Sequence, residues 1–368
     1  MVMQDQAQLA EAIVPITGRR LTLPEGPIFH LQRAAQCDYV IGVFRPWAGY
    51  KNFGSDQATG HLAHFQHVLT FAATETAGRT GIHTHFAHAH IILPTSGRGV
   101  FSYDGVVTEA MPGSVIVQHG GTVHDQFEYS YTPASQADNC LTPLTVEPAS
   151  EQERGRSFGF LELFVPMAFA NVEIVPPKGV TPTLQRTAWD HPYHAQGARF
   201  GIQSADVPTA AYRPLAGAEG IEVRDAGTWD ATGGLVATWL MRSAPAAGSE
   251  AEAVAAGVPG EVGGVDILFM VKGAASFPGR DGEQIVLGAG DTLTCSQGLV
   301  GDPVEGSPDM QLLRFFIAAK AQLLRERTPE EIARLEGLGE RIITRSEVRP
   351  EADDRPVNFL SEGHSPPG

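Results

Sequence analysis

Histidines dominate one stretch of this sequence, between Gly81 and His124, which holds six of the thirteen in the chain. His83 and His85 are separated by one residue, which places both imidazoles on the same face if the segment is a β-strand. Two imidazoles from one strand and a third donor from a neighbouring strand suit a divalent transition metal. His124 is a candidate for the third donor, because it follows a turn, a short apolar strand and a second turn.

The spacing of the first histidines resembles the first motif of the cupin superfamily, small antiparallel β-barrels of the jelly-roll type. That motif has the form HxH, then glutamate, then glycine. His83 and His85 match the HxH and Gly97 matches the glycine. His90 occupies the glutamate position, with six residues between it and Gly97. The resemblance implies that His83 and His85 bind the metal and that imidazole replaces the carboxylate at His90.

The second cupin motif, PG followed by a short strand and PxGxxH, is matched further along the chain. Pro112-Gly113, Gly121 and His124 fit it, while His119 replaces its inner proline. The resemblance makes His124 a ligand and places His119 beside the site. The sphere that it implies contains three or four histidines. The predicted metal ligands are His83, His85, His90 and His124.

Other polar residues of this stretch are candidates for contact with a substrate. Arg98 would neutralise a substrate carboxylate, unless it is a solvated turn residue, and Tyr103 and Gln118 would supply polar contacts. His88 falls in a predicted loop, and whether it or His90 binds the metal stays open. Histidine-rich spheres accept several metals. One divalent transition metal is expected, with iron(II) favoured and zinc, nickel and manganese as alternatives.

The composition favours a β-rich globular protein with many turns. The chain has 368 residues, with 41 glycines and 26 prolines, and 42% of it is hydrophobic, which suits two domains of ordinary size. Its net charge of −16 argues against nucleic acid or an anionic membrane as a partner. No apolar run approaches the ~20 residues of a membrane span, no signal peptide is recognisable, and three distant cysteines indicate a reducing compartment. We expect a cytoplasmic homodimer or larger homo-oligomer.

An internal repeat predicts two barrels in one chain. The run 263–273 corresponds to the run that ends at Gly97, and Gly290 and Gly298 repeat the eight-residue offset of Gly113 and Gly121. The fold class is therefore predicted as all-β, with two tandem cupin (jelly-roll) β-barrels and short helices at both ends of the chain. These helices are expected over 6–13 and from residue 328 onward.

The second barrel is expected to lack the metal site. Asp266 stands where His90 does, and Gly301 stands where His124 would be. The closing strand of the first barrel is predicted over 158–165, with Phe160, Glu162 and Phe164 on one face. The segment 132–156 is interpreted as a lid over the barrel or as disordered, and 46–59 as a polar loop. The predicted domains are an N-terminal arm (1–35), a metal-binding barrel (36–166), a proline-rich connector (167–225), a second barrel without ligands (226–320) and a C-terminal helix with a tail (321–368).

Three functions follow from this pattern. Loss of the motif glutamate resembles the gentisate-type ring-cleaving dioxygenases, bicupins with a three-histidine iron site in one barrel. That resemblance implies an iron(II) dioxygenase acting with O₂ on a small chelating substrate, aromatic or enolisable. A second hypothesis is a zinc, nickel or manganese enzyme without redox chemistry, an isomerase, lyase or decarboxylase for a carbonyl or sugar-acid substrate. A third is a protein that binds a metal or small ligand without turnover.

Overall fold

The structure is a computed structural model. It describes residues 24–41, 48–71, 83–85, 87–103, 106–119, 122, 124–130, 157–166, 171–175, 200–203, 212–244, 252–258, 263–279, 282–323 and 341–344. The predicted terminal helices and the segment 132–156 lie outside these residues. No helix among those described is long and apolar enough to cross a membrane.

Strands make up most of the described chain. Those of the first half are, in chain order, β1 (Phe29–Gln32), β2 (Val40–Ile41), β3 (Ala48–Asn52), β4 (His64–Phe71), β5 (His83–His85), β6 (Ala89–Ser96), β7 (Arg98–Tyr103), β8 (Val106–Ala110), β9 (Val115–His119), β10 (His124–Ser130), β11 (Ser157–Val165) and β12 (Asn171–Val175).

The second half continues in the same way. Its strands are β13 (Phe200–Gln203), β14 (Arg213–Pro214), β15 (Ile221–Asp225), β16 (Val236–Ser243), β17 (Val265–Lys272), β18 (Ala274–Pro278), β19 (Gln284–Gly288), β20 (Thr292–Ser296), β21 (Glu305–Gly306), β22 (Gln311–Ile317) and β23 (Arg341–Thr344). The short helices are α1 (Ser55–Ala58) and α2 (Thr228–Ala231), with 3₁₀ turns at Ala34–Gln36 and Ala319–Leu323.

Two seven-stranded antiparallel sheets share one strand order. In the first barrel the order is β13-β9-β6-β11-β4-β3-β2, and in the second it is β1-β20-β17-β22-β16-β15-β14. The sheet β23-β12-β5-β10-β7-β8 faces the first, and β19-β18-β21 belongs to the second barrel. Each strand of one large sheet thus has a counterpart at the same place in the other. The predicted all-β fold with two tandem jelly-roll barrels is confirmed.

The two halves exchange their edge strands. β1 precedes the first barrel in sequence, but it pairs with β20 in the sheet of the second barrel. β13 precedes the second barrel and pairs with β9 in the sheet of the first. Each large sheet is therefore completed by a segment that comes from outside its own barrel.

The two large sheets pack against each other through apolar side chains. On β11, Leu161 and Leu163 face the second barrel and share a buried core with Leu240 and Phe315. His90 of β6 and Glu162 of β11 occur on the opposite, interior face of the first barrel. That alternation is what brings polar groups into the barrel interior.

Four phenylalanines connect the barrels at the centre of this core. The ring of Phe53 lies 5.1 Å from Phe65 and 5.0 Å from Phe269, and Phe65 lies 5.3 Å from Phe315. All four are fully buried. Burial of one such side chain stabilises a fold by about 1.5–3 kcal/mol, so this cluster is a substantial part of the contact between the barrels.

The repeat extends to the short helices. α1 and α2 follow β3 and β15, and both begin after a glycine in the left-handed region, Gly54 (φ 73°) and Gly227 (φ 68°). The hydroxyls of Thr59 and Thr232 each donate to the carbonyl four residues earlier, at 2.7 and 2.8 Å. The interpretation of 46–59 as a loop was wrong, because this segment contains β3 and α1. Both segments contain the triplet Ala-Thr-Gly, at 58–60 and at 231–233. That repeat was the signal that the interpretation as a loop missed.

Candidate metal centre

Three of the four predicted ligands meet inside the first barrel. His85 on β5, His90 on β6 and His124 on β10 form what we call the histidine cluster. The ring centroid of His85 lies 4.9 Å from that of His90 and 4.8 Å from that of His124. The backbone of His83 pairs directly with that of His124, and its side chain lies outside the described residues.

The imidazole of His124 is held in one tautomer. Its Nδ1–H donates to the carbonyl oxygen of Thr122 at 2.9 Å, which leaves the lone pair on Nε2. Burial lowers the pKa of His124 to about 3, so the ring is neutral at physiological pH. A neutral imidazole whose second nitrogen is bonded to a carbonyl is the usual state of a metal-binding histidine.

His90 is fixed by two neighbours on the adjacent strands. Its ring stacks on Phe164, with centroids 3.9 Å apart and an angle of 15° between the planes. The side-chain amide of Gln118 contacts Nδ1 of His90, while the buried amide oxygen has no hydrogen-bond partner among the described residues. Rotation of this amide by half a turn would let Nδ1–H donate to the oxygen. That arrangement gives the amide oxygen of Gln118 a donor and leaves the Nε2 lone pair of His90 for a metal.

A carboxylate that the sequence analysis did not select lies next to His90. Oε1 of Glu162 on β11 is 3.3 Å from Nε2 of His90, and its Oε2 accepts a hydrogen bond from Nε2 of Gln66 at 2.7 Å. Oε1 of Gln66 in turn lies 3.2 Å from Nε2 of His64. The signal for Glu162 was present, since it shares a strand face with Phe160 and Phe164. A charged residue at a core-facing position is rare unless it is paired.

The predicted substrate-contacting residues lie in different surroundings. Tyr103 is fully buried, and its ring stacks beside that of His124 with centroids 5.8 Å apart. Burial, with a smaller effect of Glu162, raises the pKa of Tyr103 well above its usual value, so its hydroxyl stays protonated. Gln118 contacts His90, as described. The side chain of Arg98 lies outside the described residues, and its backbone pairs with Ser130.

The remaining histidines of the stretch lie at the ends of strands. His88 and His119 are both buried. The backbone N–H of His88 donates to the carbonyl oxygen of Val165 at 2.8 Å, and His119 pairs through its backbone with Ala89. Neither is among the predicted ligands, since the sequence leaves His88 open and places His119 beside the site, and both expectations stay predictions.

The donors of this site fit a divalent transition metal by type. They are buried imidazoles, one of them neutral with its Nε2 lone pair fixed, and a carboxylate held by an amide. Within the part of the chain that the structure describes, no three or more histidine, cysteine, aspartate or glutamate side chains are arranged so that they could hold a metal ion. The side chain of His83, which would complete the predicted set, lies outside that part.

The second barrel has a different cluster at the same place in its sheet. In the first barrel, His90 pairs with Gln118 and Phe164. In the second, Asp266 pairs with Cys295 and Phe316. The strand registers thus place Asp266 at the position of His90, in agreement with the sequence repeat.

Arg314 occupies the position of Glu162 in the second barrel, and it satisfies the carboxylates around it. Its Nε donates to Oδ1 of Asp266 at 2.9 Å and its Nη1 to Oδ1 of Asp302 at 2.6 Å. At Gly301, a Cβ atom would lie 2.9 Å from Cγ of Pro278, which leaves little room for a side chain. An ion-paired arginine stands where the first barrel has its histidines and carboxylate.

Comparisons with known proteins bear on the fold. No family model and no curated protein sequence matches the chain. Solved structures similar to it include a variant of the salicylate 1,2-dioxygenase of Pseudoaminobacter salicylatoxidans, at 12% identity and a TM-score of 0.44, over 92% of this chain and 96% of that one. The nickel(II) complex of a pirin from Escherichia coli is similar at 13% identity and a TM-score of 0.43, over 79% of this chain and 99% of that one.

A plant protein is similar at the same level. The 7S globulin of Momordica charantia is similar at 11% identity and a TM-score of 0.45, over 78% of this chain and 84% of that one. Likeness at this level carries no argument about function. The strand order of the two large sheets and of the sheets that face them gives this chain a two-barrel cupin fold.

Proposed function

We propose that this protein is a metal-dependent cupin enzyme, and that it is an iron(II) dioxygenase for a small chelating organic substrate, aromatic or enolisable. The observation that supports this best is the histidine cluster. Three histidines from three strands meet in a buried site, and Thr122 directs the lone pair of His124 away from the backbone. With His83 from the sequence motif, the cluster offers the donors that iron(II), zinc, nickel or manganese accepts.

The residues around the cluster have separate tasks in this proposal. His85, His90 and His124 would hold the metal, which when bound would supply electron transfer between a chelated substrate and O₂. Phe164 covers one face of the His90 ring and keeps water from it. The protonated hydroxyl of Tyr103 is a hydrogen-bond donor beside the site, suited to a substrate oxygen.

A non-redox enzyme is the second candidate, and Tyr103 is the observation that favours it. A buried phenol next to a Lewis-acid metal is placed to donate a hydrogen bond to a carbonyl oxygen that the metal polarises, as isomerase, lyase or decarboxylase chemistry on a carbonyl or sugar-acid substrate requires. Zinc, nickel or manganese would then be the metal. Under either function we expect a homodimer or larger homo-oligomer in the cytoplasm, without nucleic acid or membrane as a partner.

Metal analysis followed by nitric oxide binding tests the proposal. The protein is purified without added metal, loaded anaerobically with iron(II) and titrated with nitric oxide, which occupies the O₂ position, under EPR detection. We expect one iron per chain and a high-spin iron–nitrosyl signal, and O₂ uptake with catechols, hydroxybenzoates or diketones. The variants His85→Ala and His124→Ala should lose stoichiometric metal, whereas His30→Ala on β1, far along the chain from the cluster, should keep it.

The other outcomes assign the alternatives. Tightly bound zinc or nickel without a nitrosyl signal, together with turnover under anaerobic conditions, would support the non-redox enzyme. Metal without turnover of either kind would indicate a binding protein. Absence of metal from both preparations would overturn the proposal. The variant His90→Gln decides between three and four histidines, because unchanged metal content and activity would remove His90 from the ligand set.

A further inference from the structure

Glu162 brings a carboxylate into contact with the histidine cluster from a strand that neither cupin motif includes. Resting on the metal-dependent function proposed above, we infer that Glu162 is itself a metal ligand. The sphere would then be a mixed histidine–carboxylate one, in place of the histidine-only sphere that the motif suggests. The carboxylate absent from position 90 on β6 is supplied across the sheet by β11.

The distance between Glu162 and His90 is the first argument. Two donors that each lie about 2.0–2.2 Å from one ion, at about 90–110° to each other, are separated by roughly 2.9–3.5 Å. Oε1 of Glu162 and Nε2 of His90 are 3.3 Å apart. Their contact is not a hydrogen bond, because the buried Nε2 has no hydrogen-bond partner among the described residues. The separation therefore fits two ligands of one ion.

The hydrogen bonding of the carboxylate is the second argument. Gln66 donates to Oε2 of Glu162 at 2.7 Å, and the ring N–H of His64 donates to the amide oxygen of Gln66 at 3.2 Å. The carboxylate can only accept, so it determines that the NH₂ end of the Gln66 amide faces it and that the amide oxygen faces His64. One oxygen of Glu162 is held by its neighbours, and the other points at the cluster. Ligating carboxylates are commonly oriented in this way by outer hydrogen bonds.

Charge balance is the third argument. A largely buried carboxylate is costly unless a cation accompanies it, and the Glu162 side chain is only 12% exposed. Among the described residues, its ion-pair contact is with His90 alone. The second barrel has Arg314 at the equivalent position, paired with Asp266 and Asp302. A divalent ion in the first barrel would neutralise Glu162, as the guanidinium neutralises Asp266 and Asp302 in the second.

A carboxylate among the ligands also changes which metal the site favours. A single carboxylate among imidazoles is the donor set of many non-haem iron(II) oxygenases, whereas sites of nitrogen donors alone also suit copper and nickel. A bound Glu162 lowers the net charge of a divalent site by one. With Glu162 bound, the donors therefore favour iron(II) or manganese(II) over copper and nickel.

Cobalt(II) titration of the metal-free full chain tests this inference without any assay of activity. The visible absorption of cobalt(II) reports both the affinity and the identity of the ligands. We expect Glu162→Gln to raise the Kd about 100-fold or more and to shift the absorption bands. Gln66→Leu, which removes only the positioning hydrogen bond, should raise the Kd about tenfold. Glu222→Gln is the matched control, because Glu222 is also buried but pairs with Arg242 in the second barrel; its Kd should be unchanged.

The results separate failure of this inference from failure of the proposed function. If Glu162→Gln keeps the Kd and the spectrum of the wild type while His124→Ala loses cobalt, Glu162 is not a ligand and the metal enzyme stands. Loss of turnover at unchanged affinity would likewise overturn the ligand assignment and make Glu162 a general base. If the wild type binds no cobalt, the proposed function fails first. Should Glu162→Gln not fold, Glu162→Asp keeps the charge and should give an intermediate Kd.

Discussion

At the scale of the residue, burial sets the protonation state of the histidines. His67 lies on β4 next to Gln66 but faces away from the barrel interior. Its two ring nitrogens contact the hydroxyls of Tyr39 and Thr95. Burial, with a smaller effect of Lys51, lowers the pKa of His67 to about 3. A histidine that stays neutral in the fold makes stability depend on pH, because the unfolded chain takes up a proton that the folded chain excludes.

Substitution of His67 should therefore change the pH dependence of unfolding. In the unfolded state His67 titrates near pH 6.5 and in the folded state near 3, so its contribution to stability is complete above about pH 6.5 and is lost as the pH falls toward 3. Between about pH 6.5 and pH 4.5 the loss is about 2.3 kcal/mol. Urea unfolding of wild type and His67→Gln across this range should show a shallower slope for the variant.

Thr95→Val is the control for that experiment. It removes a hydrogen-bond partner of His67 and should cost about 1 kcal/mol at every pH, while the slope of the wild type remains. If the slopes of wild type and His67→Gln were equal, His67 would not be the buried neutral group that its contacts indicate.

At the scale of the element, strand alternation explains which parts of the site could be read from the sequence. The offset between Gly113 and Gly121, repeated at Gly290 and Gly298, was sufficient to predict two barrels. The equivalence of Asp266 to His90 could also be predicted, since it depends only on a count along the corresponding strands of the two barrels. The face that Glu162 occupies could be read from the alternation of β11, but its contact with His90 could not, because the pairing of β11 with β6 has no local signal.

The ion cluster of the second barrel gives a prediction at this scale. Arg314 neutralises Asp266, which is 3% exposed, and Asp302, which is 33% exposed. Burial raises the pKa of Asp302, and Arg314 lowers it by a smaller amount. Arg314→Met leaves an uncompensated buried carboxylate, so we expect a loss of about 3–5 kcal/mol in the free energy of unfolding at neutral pH. Urea denaturation measures it.

Two further variants make that prediction specific. Arg213→Met removes an exposed pair, in which Arg213 is 44% and Glu252 is 91% exposed and the charges are 4.0 Å apart, and it should cost less than about 1 kcal/mol. The double variant Asp266→Leu with Arg314→Met should recover much of the loss, because it removes both members of the buried pair. Equal losses for Arg314→Met and Arg213→Met would contradict the structural role of the cluster.

At the scale of the whole molecule, the two barrels are joined by exchanged strands as well as by a shared core. β1 completes the sheet of the second barrel and β13 that of the first, so each barrel needs a strand from beyond its own sequence. The segments that hold these strands were predicted as an arm and a connector. Their composition, rich in prolines and turns, carried no indication of a partner strand more than eighty residues away. Such pairings depend on the assembled sheets and not on local propensity.

A shared core predicts that metal binding in the first barrel stabilises the second. Trp229 and Trp239 lie in the second barrel, and a variant with Trp47→Phe and Trp189→Phe would leave them as the only tryptophans of the chain. A metal at about 100 times its Kd should raise the free energy of unfolding by about 2.7 kcal/mol. Because Phe53 and Phe65 pack on Phe269, the tryptophan signal should shift with the metal as far as the circular dichroism of the whole chain does.

Phe269→Ala tests the path of this coupling. Loss of its ring should cost about 3–5 kcal/mol, and it removes the contact through which the first barrel supports the second. In this variant, metal should shift the unfolding transition that the tryptophans of the second barrel report by less than it shifts the unfolding of the first barrel. If metal did not shift the tryptophan transition even when Phe269 is present, the barrels would unfold independently. The exchanged strands and the phenylalanine cluster would then join two separate domains, and the metal site would depend on the first barrel alone.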